Sequence, residues 1–297
     1  MASGSETTLA KLRDGRSLAY IEYGIERKLA THKVIVIHGL ASSRHHRLPC
    51  SEKVVKELGV CLVGFDRAGY GESDPNPQRS IRSDVSDIEE LADHLQLGDK
   101  FYIVATSIGG YSAWGCLKYI PHRIAGVSMI APAVNFWWPG LPQDLSKQAL
   151  SSRVLLDSLI LNAVHHTPWL LNWWSFPSGP MHLDEVDIKI LTESPIIKEI
   201  SLQPTQRSHR QSLNKDMLLQ FGKWEFDPLE LEEPGDFRVS IWQGDRDYPV
   251  PVELQRFVHQ KLPWIDYHEI AGVGHLFVLV PGYGDEIISN LVLPREN

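Results

Sequence analysis

The feature that most constrains the fold is a regular alternation of apolar runs with amphipathic stretches between residues 33 and 131. The apolar runs are continuous, as in strands buried on both faces, and the stretches between them repeat apolar residues at helical spacing. We predict strands at 33–37, 60–65, 101–105 and 124–131, and helices at 51–59, 83–95 and 107–119. This alternation predicts an α/β fold with a mostly parallel central sheet flanked by helices.

The same rhythm reaches both ends of the chain and is interrupted once. Residues 9–13 and 17–23 flank Asp14-Gly15, which predicts a β-hairpin. Strands at 237–242 and 265–270 and helices at 251–262 and 284–293 resume it. Between about 136 and 214 we find only helical stretches, such as 152–165 and 187–199, with five of the nine tryptophans. We predict one domain, 1–297, whose helical cap (about 136–214) covers the carboxyl ends of the strands, where α/β sheets bind ligands.

Composition excludes several classes of function. The net charge of −8 over 297 residues, with no basic cluster, argues against a nucleic-acid partner. The start of the chain lacks the apolar core of a secretory signal, and no apolar run is long enough to span a membrane. Three scattered cysteines do not predict a disulfide framework, so we expect a reducing compartment, most simply the cytoplasm. We expect no cofactor, a small-molecule substrate as partner, and either a monomer or a dimer.

A candidate nucleophile lies where the strand at 101–105 passes into a helix. The segment Ala105-Thr106-Ser107-Ile108-Gly109 matches G-x-S-x-G except for its first residue. A serine on such a sharp turn projects its hydroxyl above the edge of the sheet, and small neighbours relieve the crowding. By itself the pattern also fits an ordinary strand–turn–helix. The assignment of Ser107 therefore depends on finding a base and an acid elsewhere.

Both partners are found after later strands. His275 lies in a glycine-rich loop just beyond the last predicted strand, where it can reach a serine at a strand end. Asp245 and Asp247 both follow the strand at 237–242. We favour Asp247 because it stands three residues past the turn glycine at 244, whereas Asp245 comes directly after that glycine. The order serine, acid, histidine is the one expected for an α/β-hydrolase. Ser107, Asp247 and His275 are the predicted catalytic residues.

An acyl transfer also needs donors for a developing oxyanion. We expect the backbone N–H groups of Ile108 and of Leu40, which lies in the loop after the strand at 33–37. We expect His38 to support this loop rather than to transfer protons. The paired histidines at 45–46 and 165–166 lack a ligand pattern, so no metal site is predicted. The candidate pocket residues are His38, Trp137, Trp138 and Trp174, although tryptophans in a cap also serve its own core.

With these motifs, the chain resembles the α/β-hydrolase superfamily, and most closely a plant group of α/β-fold serine hydrolases. The resembling stretches are 11–16, 38–39 with 42–45, 64–77, 107–110, 221–228, and 242–245 through 274–277. The resemblance implies Ser107, Asp247 and His275 as triad, with Leu40 and Ile108 as oxyanion donors. Two departures are Ala105 in place of the first elbow glycine and a shorter, dissimilar insertion from about 145 to 208.

The predicted function is a serine hydrolase, similar to a carboxylesterase, acting on an ester of a small apolar or aromatic molecule. A serine at 107 disfavours epoxide hydrolases and dehalogenases of this fold, which use an aspartate there. Two alternatives stay open, because fold alone does not define the pocket. One is a lyase, acyltransferase or cyclase of plant specialised metabolism, and the other is a small-molecule receptor that retains a triad.

Overall fold

The architecture is that of a computed structural model that describes residues 7–169, 182–193 and 209–294. Within them, eight strands form one sheet in the order β1-β2-β4-β3-β5-β6-β7-β8. The strands are β1 (Thr8–Lys11), β2 (Ser17–Gly24), β3 (His32–Ile37), β4 (Val60–Phe65), β5 (Phe101–Thr106), β6 (Ile124–Ile130), β7 (Arg238–Gly244) and β8 (Asp266–Ile270). The strands predicted from the apolar runs and the hairpin at Asp14-Gly15 are thereby confirmed.

The sheet is antiparallel at one edge and parallel elsewhere. β1 pairs with β2, and β2 with β4, in antiparallel register. The pairs from β4 through β3, β5, β6 and β7 to β8 are all parallel. The carboxyl ends of β3, β5, β7 and β8 therefore meet along one edge, which is where the loops bearing the predicted site residues emerge.

Nine α-helices lie within the described ranges. They are α1 (Glu52–Leu58), α2 (Ile81–His94), α3 (Gly110–Tyr119), α4 (Gln143–Ser151), α5 (Leu155–His166), α6 (Glu185–Glu193), α7 (His209–Phe221), α8 (Val252–Lys261) and α9 (Tyr283–Val292). Helices α4 to α7 all fall between β6 and β7, as the interruption in the sequence pattern predicts. The predicted helix at 187–199 begins two residues late, and its last six residues lie outside the described part of the chain.

Each face of the sheet carries its own apolar core. In β3, Val34 and Val36 pack with residues of α1 and α9, whereas Ile35 and Ile37 pack with residues of α2, α3 and α8. Successive side chains of a strand point to opposite faces, so a strand covered on both sides must be apolar at every position. This requirement explains the continuous apolar runs. In the described part of the chain, no helix is both long and apolar enough to cross a membrane.

Candidate active site

Ser107 occupies a strained turn between β5 and α3. Its φ of 53° lies in the left-handed region, which residues other than glycine seldom adopt. A single 3-10 turn, Ser107–Gly109, connects the strand to the helix, and the Ser107 carbonyl accepts the N–H of Ala133 at 3.1 Å. This local geometry is the one that a serine needs to present its hydroxyl at the carboxyl edge of the sheet.

The turn is possible because the glycines after it and across from it have no side chains. A Cβ on Gly109 would lie 2.8 Å from the His38 carbonyl oxygen, and one on Gly110 would lie 2.8 Å from Cβ of Pro132. Across the site, a Cβ on Gly39 would lie 3.3 Å from Cβ of Ser107. The loop after β3 therefore passes directly beside Ser107. Leu40 of this loop and Ile108 line one cavity together with Ser107.

The structure brings Ser107, His275 and Asp247 together at the ends of three strands. His275 Nε2 lies 2.9 Å from Ser107 Oγ, and His275 Nδ1 lies 2.8 Å from Asp247 Oδ2. All three side chains are buried. With Asp247 ionised, Nδ1 donates its proton to the carboxylate, which leaves Nε2 free to accept the hydroxyl proton of Ser107. The arrangement can transfer a proton from the serine to the histidine.

Asp247 is held by two further donors. Gln243 Nε2 donates to Oδ2 at 2.9 Å, and the N–H of Val250 donates to Oδ1 at 2.8 Å. Asp245, the alternative acid, is exposed and accepts the N–H of Gly272 at 2.7 Å. Of the two carboxylates, only that of Asp247 is hydrogen-bonded to the imidazole of His275.

Opposing effects set the basicity of His275. Burial lowers the pKa of the imidazole. The adjacent charge and hydrogen bond of Asp247, together with the charge of Asp187, raise this pKa by more than burial lowers it. The pKa of His275 therefore lies above its ordinary value of 6.5. The raised pKa makes His275 a stronger proton acceptor than a free imidazole, as a general base for a serine hydroxyl requires.

The cavity beside Ser107 is small and almost wholly apolar. Its volume of about 20 Å³ is little more than one water molecule occupies. Besides Ser107, it is lined by Leu40, Ile108, Ala133, Val134, Phe136, Met217, Phe221, Pro249, Val250, Pro251 and Leu254. Met217 and Phe221 belong to α7, so this helix forms part of the cavity wall.

The structure does not place the predicted pocket tryptophans Trp137 and Trp138 on the wall of this cavity. Trp138 is buried edge-on against Trp114 and Trp224, and Trp137 stacks on His165, so neither lines the cavity. Phe136, the residue before them, takes that position. Tryptophan content alone could not reveal which of these consecutive aromatic side chains points inward. The fourth candidate on this list, Trp174, lies outside the described residues.

His38 is also absent from the cavity wall. Its Nδ1 lies 2.8 Å from the Gly39 carbonyl, and its Nε2 accepts the backbone N–H of Arg67 at 3.2 Å. One ring nitrogen is therefore used within the loop after β3 and the other by the loop after β4. Burial, with the charge of Arg67, holds the pKa of His38 well below 6.5, so the ring is neutral. This geometry agrees with the expectation that His38 supports the loop, and it does not place His38 on the wall of this cavity.

Two acidic residues near the site had no role in the sequence interpretation. Asp187 of α6 accepts the backbone N–H groups of His275 and Leu276. Asp216 of α7 forms a buried ion pair with Arg67, whose guanidinium also donates to the Gly39 carbonyl at 3.1 Å. Both acids lie on helices between β6 and β7, far along the chain from their partners, and no local pattern signals such contacts. Across the described residues, no group of three or more His, Cys, Asp or Glu could hold a metal ion.

Comparisons with known proteins agree with this architecture. An Arabidopsis thaliana protein named "Probable lysophospholipase BODYGUARD 2" is 21% identical over 286 residues, covering 86% of this chain and 57% of that protein. The chain thus spans little more than half the length of this curated relative. An esterase from Thermogutta terrifontis superposes with a TM-score of 0.65 at 18% identity, covering 96% and 97% of the two chains. An esterase from Exiguobacterium antarcticum superposes with a TM-score of 0.61 at 16% identity, covering 96% of this chain and 99% of that one.

The family assignment rests on a match to a family model. Residues 34–285 match the model of the alpha/beta hydrolase family. This range runs from β3 into α9 and so includes the loops that carry Ser107, Asp247 and His275. The chain belongs to the alpha/beta hydrolase family.

Proposed function

We propose that the protein is a serine hydrolase that cleaves an ester of a small apolar molecule through an acyl-enzyme. The observation that supports this most strongly is the hydrogen-bonded series Ser107–His275–Asp247, with contacts of 2.9 and 2.8 Å, at an apolar cavity. The series contains a nucleophile, a base and an orienting acid in a geometry suited to acyl transfer.

In the first step, Ser107 Oγ forms a bond to the carbonyl carbon of the ester as its proton moves to His275 Nε2. The carbonyl oxygen becomes an oxyanion, which accepts hydrogen bonds from the backbone N–H groups of Leu40 and Ile108. Each such donor contributes about 2.7–4 kcal/mol to lowering the barrier. The tetrahedral adduct then collapses, the bond to the alcohol oxygen breaks, and His275 returns its proton to that oxygen.

In the second step, water replaces the alcohol. His275 takes a proton from the water as its oxygen bonds to the acyl carbon, and the same two N–H groups receive the oxyanion. Collapse breaks the bond to Ser107 Oγ, which regains its proton from His275 and releases the carboxylic acid. Asp247 remains ionised throughout and stabilises the imidazolium that forms in each step.

The apolar lining of the cavity supports a substrate with an apolar acyl group. The small volume of the cavity supports a lid that moves when the substrate binds. A space of about 20 Å³ holds about one water molecule, so we infer that side chains such as Met217 and Phe221 of α7 move when an ester binds. We infer that the helices between β6 and β7 act as this lid. The name of the Arabidopsis relative makes a lysophospholipid one substrate to test against simple esters.

The decisive experiment compares the wild-type protein with Ser107→Ala. Both are treated with a fluorophosphonate probe and assayed on p-nitrophenyl esters of increasing acyl length and on a lysophosphatidylcholine. We expect the wild type to be labelled and to turn over at least one ester, and the variant to lose both activities. The matched control is Ser86→Ala, which removes a hydroxyl from the exposed face of α2, where Ser86 bonds the Arg82 carbonyl. It should behave as wild type.

Each outcome separates the candidate functions. Labelling and turnover that survive in Ser107→Ala would refute the assignment of the nucleophile. Labelling of the wild type without hydrolysis of any ester would favour a lyase, acyltransferase or cyclase, or a receptor, over the hydrolase.

A further inference from the structure

Asp187 binds the backbone of the loop that carries His275. Its side chain is fully buried; Oδ2 accepts the N–H of His275 at 2.8 Å, and Oδ1 accepts the N–H of Leu276 at 2.7 Å. A carboxylate has only acceptors, so each oxygen meets one donor and both are satisfied. This contact joins α6, between β6 and β7, to residues that follow β8.

The approach of Asp187 depends on a glycine in the same loop. A Cβ on Gly274 would lie 2.3 Å from Oδ2 of Asp187, closer than any side chain allows. A second contact fastens the same end of α6 to the neighbouring loop, since Arg246 Nη2 lies 2.8 Å from Oδ1 of Asp184. The start of α6 is therefore attached to both loops that supply partners to Ser107.

We propose that Asp187 is a positioning residue for His275. The geometry of the imidazole then depends on how α6 packs against the loop that carries His275. The proposal rests on the proposed function, because it assigns to Asp187 an effect on the reaction of Ser107. The two N–H groups fix the backbone at and after His275, and a base must be held within hydrogen-bond reach of the proton that it accepts.

The charge of Asp187 gives the proposal a measurable signature. The groups that influence the imidazole of His275 are Asp247, Asp187, Arg153 and His46. Asp247 and Asp187 raise the pKa of His275, and Arg153 lowers it. Burial, with a smaller effect of His275, lowers the pKa of His46 to about 4, so that ring is uncharged at neutral pH. Neutralising Asp187 removes one of the two negative charges and should lower the pKa of His275.

The first test is Asp187→Asn, which keeps the shape of the side chain but turns an N–H donor towards a backbone N–H. We expect kcat/KM for the best aryl ester to fall on the order of 10²-fold. We also expect the acidic limb of the pH profile, where His275 becomes protonated, to move to lower pH. Glu185→Gln is the control, because it removes the same charge from an exposed position on the same helical turn. It should change neither quantity.

A double-mutant cycle tests the contact from its other side. In the otherwise wild-type protein, Gly274→Ala should lower kcat/KM because the new methyl group displaces the Asp187 carboxylate. In an Asp187→Ala background the methyl group meets no carboxylate, so the same substitution should have a much smaller effect. Additive effects of the two substitutions would overturn the proposal, as would an Asp187→Asn variant with the kcat/KM and pH profile of the wild type.

Hydrogen exchange provides a readout that does not require activity. The amides of His275 and Leu276 should exchange faster in Asp187→Asn than in the wild type and in Glu185→Gln. Unchanged exchange at both amides would overturn the proposal even if activity fell. Failure of the proposed function shows up differently, as a wild-type protein that neither hydrolyses esters nor reacts with the fluorophosphonate.

Discussion

At the scale of single residues, the site depends on a backbone conformation that Ser107 would not adopt alone. A left-handed φ costs a residue other than glycine on the order of 1 kcal/mol or more, and it persists only where surrounding contacts enforce it. Here the close approaches at Gly39, Gly109 and Gly110 and the bond from Ala133 enforce it. At Ala105, which is itself fully buried in β5, a methyl group is tolerated.

The residue-scale prediction concerns Asp247→Asn. An asparagine can still accept the Val250 N–H through its oxygen, but its amide NH2 then faces both Gln243 Nε2 and His275 Nδ1. This favours the imidazole tautomer with the proton on Nε2, which cannot accept a proton from Ser107. We expect kcat to fall on the order of 10⁴-fold, as found when the acid of a Ser-His-Asp triad becomes an amide.

The matched control is Asp245→Asn. Asp245 is exposed, and its Oδ1 accepts the Gly272 N–H, a bond that the asparagine oxygen can still make. Steady-state kinetics on one aryl ester should therefore show little change. If Asp245→Asn were the more damaging of the two substitutions, Asp245 rather than Asp247 would be the acid.

At the scale of elements, a buried ionic cluster joins α7 to the loops after β3 and β4. Asp216 of α7 accepts from Nη1 and Nη2 of Arg67 at 2.7 and 2.6 Å, and its Oδ1 lies 3.0 Å from Nη1 of Arg79. The hydroxyl of Tyr70 donates to the same carboxylate at 2.6 Å. Arg67 in turn holds the Gly39 carbonyl. The loop beside Ser107 is thus tied to a helix that lines the cavity.

The element-scale prediction is that Asp216→Ala destabilises the fold strongly. It leaves the guanidinium groups of Arg67 and Arg79 buried without their shared carboxylate, and loss of one member of such a cluster costs about 3–5 kcal/mol. Urea unfolding followed by circular dichroism measures the difference. Asp236→Asn, which removes an exposed partner of Lys100, should leave the midpoint nearly unchanged. Equal midpoints for Asp216→Ala and the wild type would contradict this prediction.

The same carboxylate gives the wild type a defined acid sensitivity. Burial raises the pKa of Asp216, but the guanidinium groups of Arg67 and Arg79 lower it more, to about 2 against an ordinary 3.8. A lowered native pKa stabilises the fold above the unfolded value, and this stabilisation is lost as the pH falls towards the native value. The wild type should lose the contribution of Asp216 between about pH 4 and 2, whereas Asp216→Ala has none to lose.

The elements differ in how far sequence could predict them. The apolar runs that form β3 to β6, and the placing of Ser107 and His275 at strand ends, follow from periodicity and turn residues within a few positions. Asp187 and His275 are 88 residues apart, and Asp216 and Arg67 are 149 apart. Such contacts depend on how α6 and α7 pack, which a local pattern does not determine. For the same reason, Phe136 could not be distinguished from Trp137 as a cavity residue.

At the scale of the whole molecule, the three cysteines are distributed over the cores on both faces of the sheet. Cys61 of β4 and Cys116 of α3 belong to the core that α2, α3 and α8 share, whereas Cys50 packs partly buried against the core beneath α1 and α9. All three are free thiols. Burial raises the pKa of Cys50 to about 12 and that of Cys61 to about 11, and it also raises the pKa of Cys116. Each thiol is therefore kept in its unreactive form.

Thiol labelling should consequently follow the unfolding of the whole molecule. In native buffer without reductant, we expect a disulfide reagent such as dithionitrobenzoate to react slowly with Cys50 and not measurably with Cys61 or Cys116, because the latter two become accessible only when the core opens. After denaturation three thiols should react. Cys50→Ser is the control, since it should abolish the native reaction and leave two thiols after denaturation. Rapid native labelling in Cys50→Ser would show that the core opens far below the free energy of global unfolding, and fewer than three thiols in the denatured wild type would reveal a disulfide.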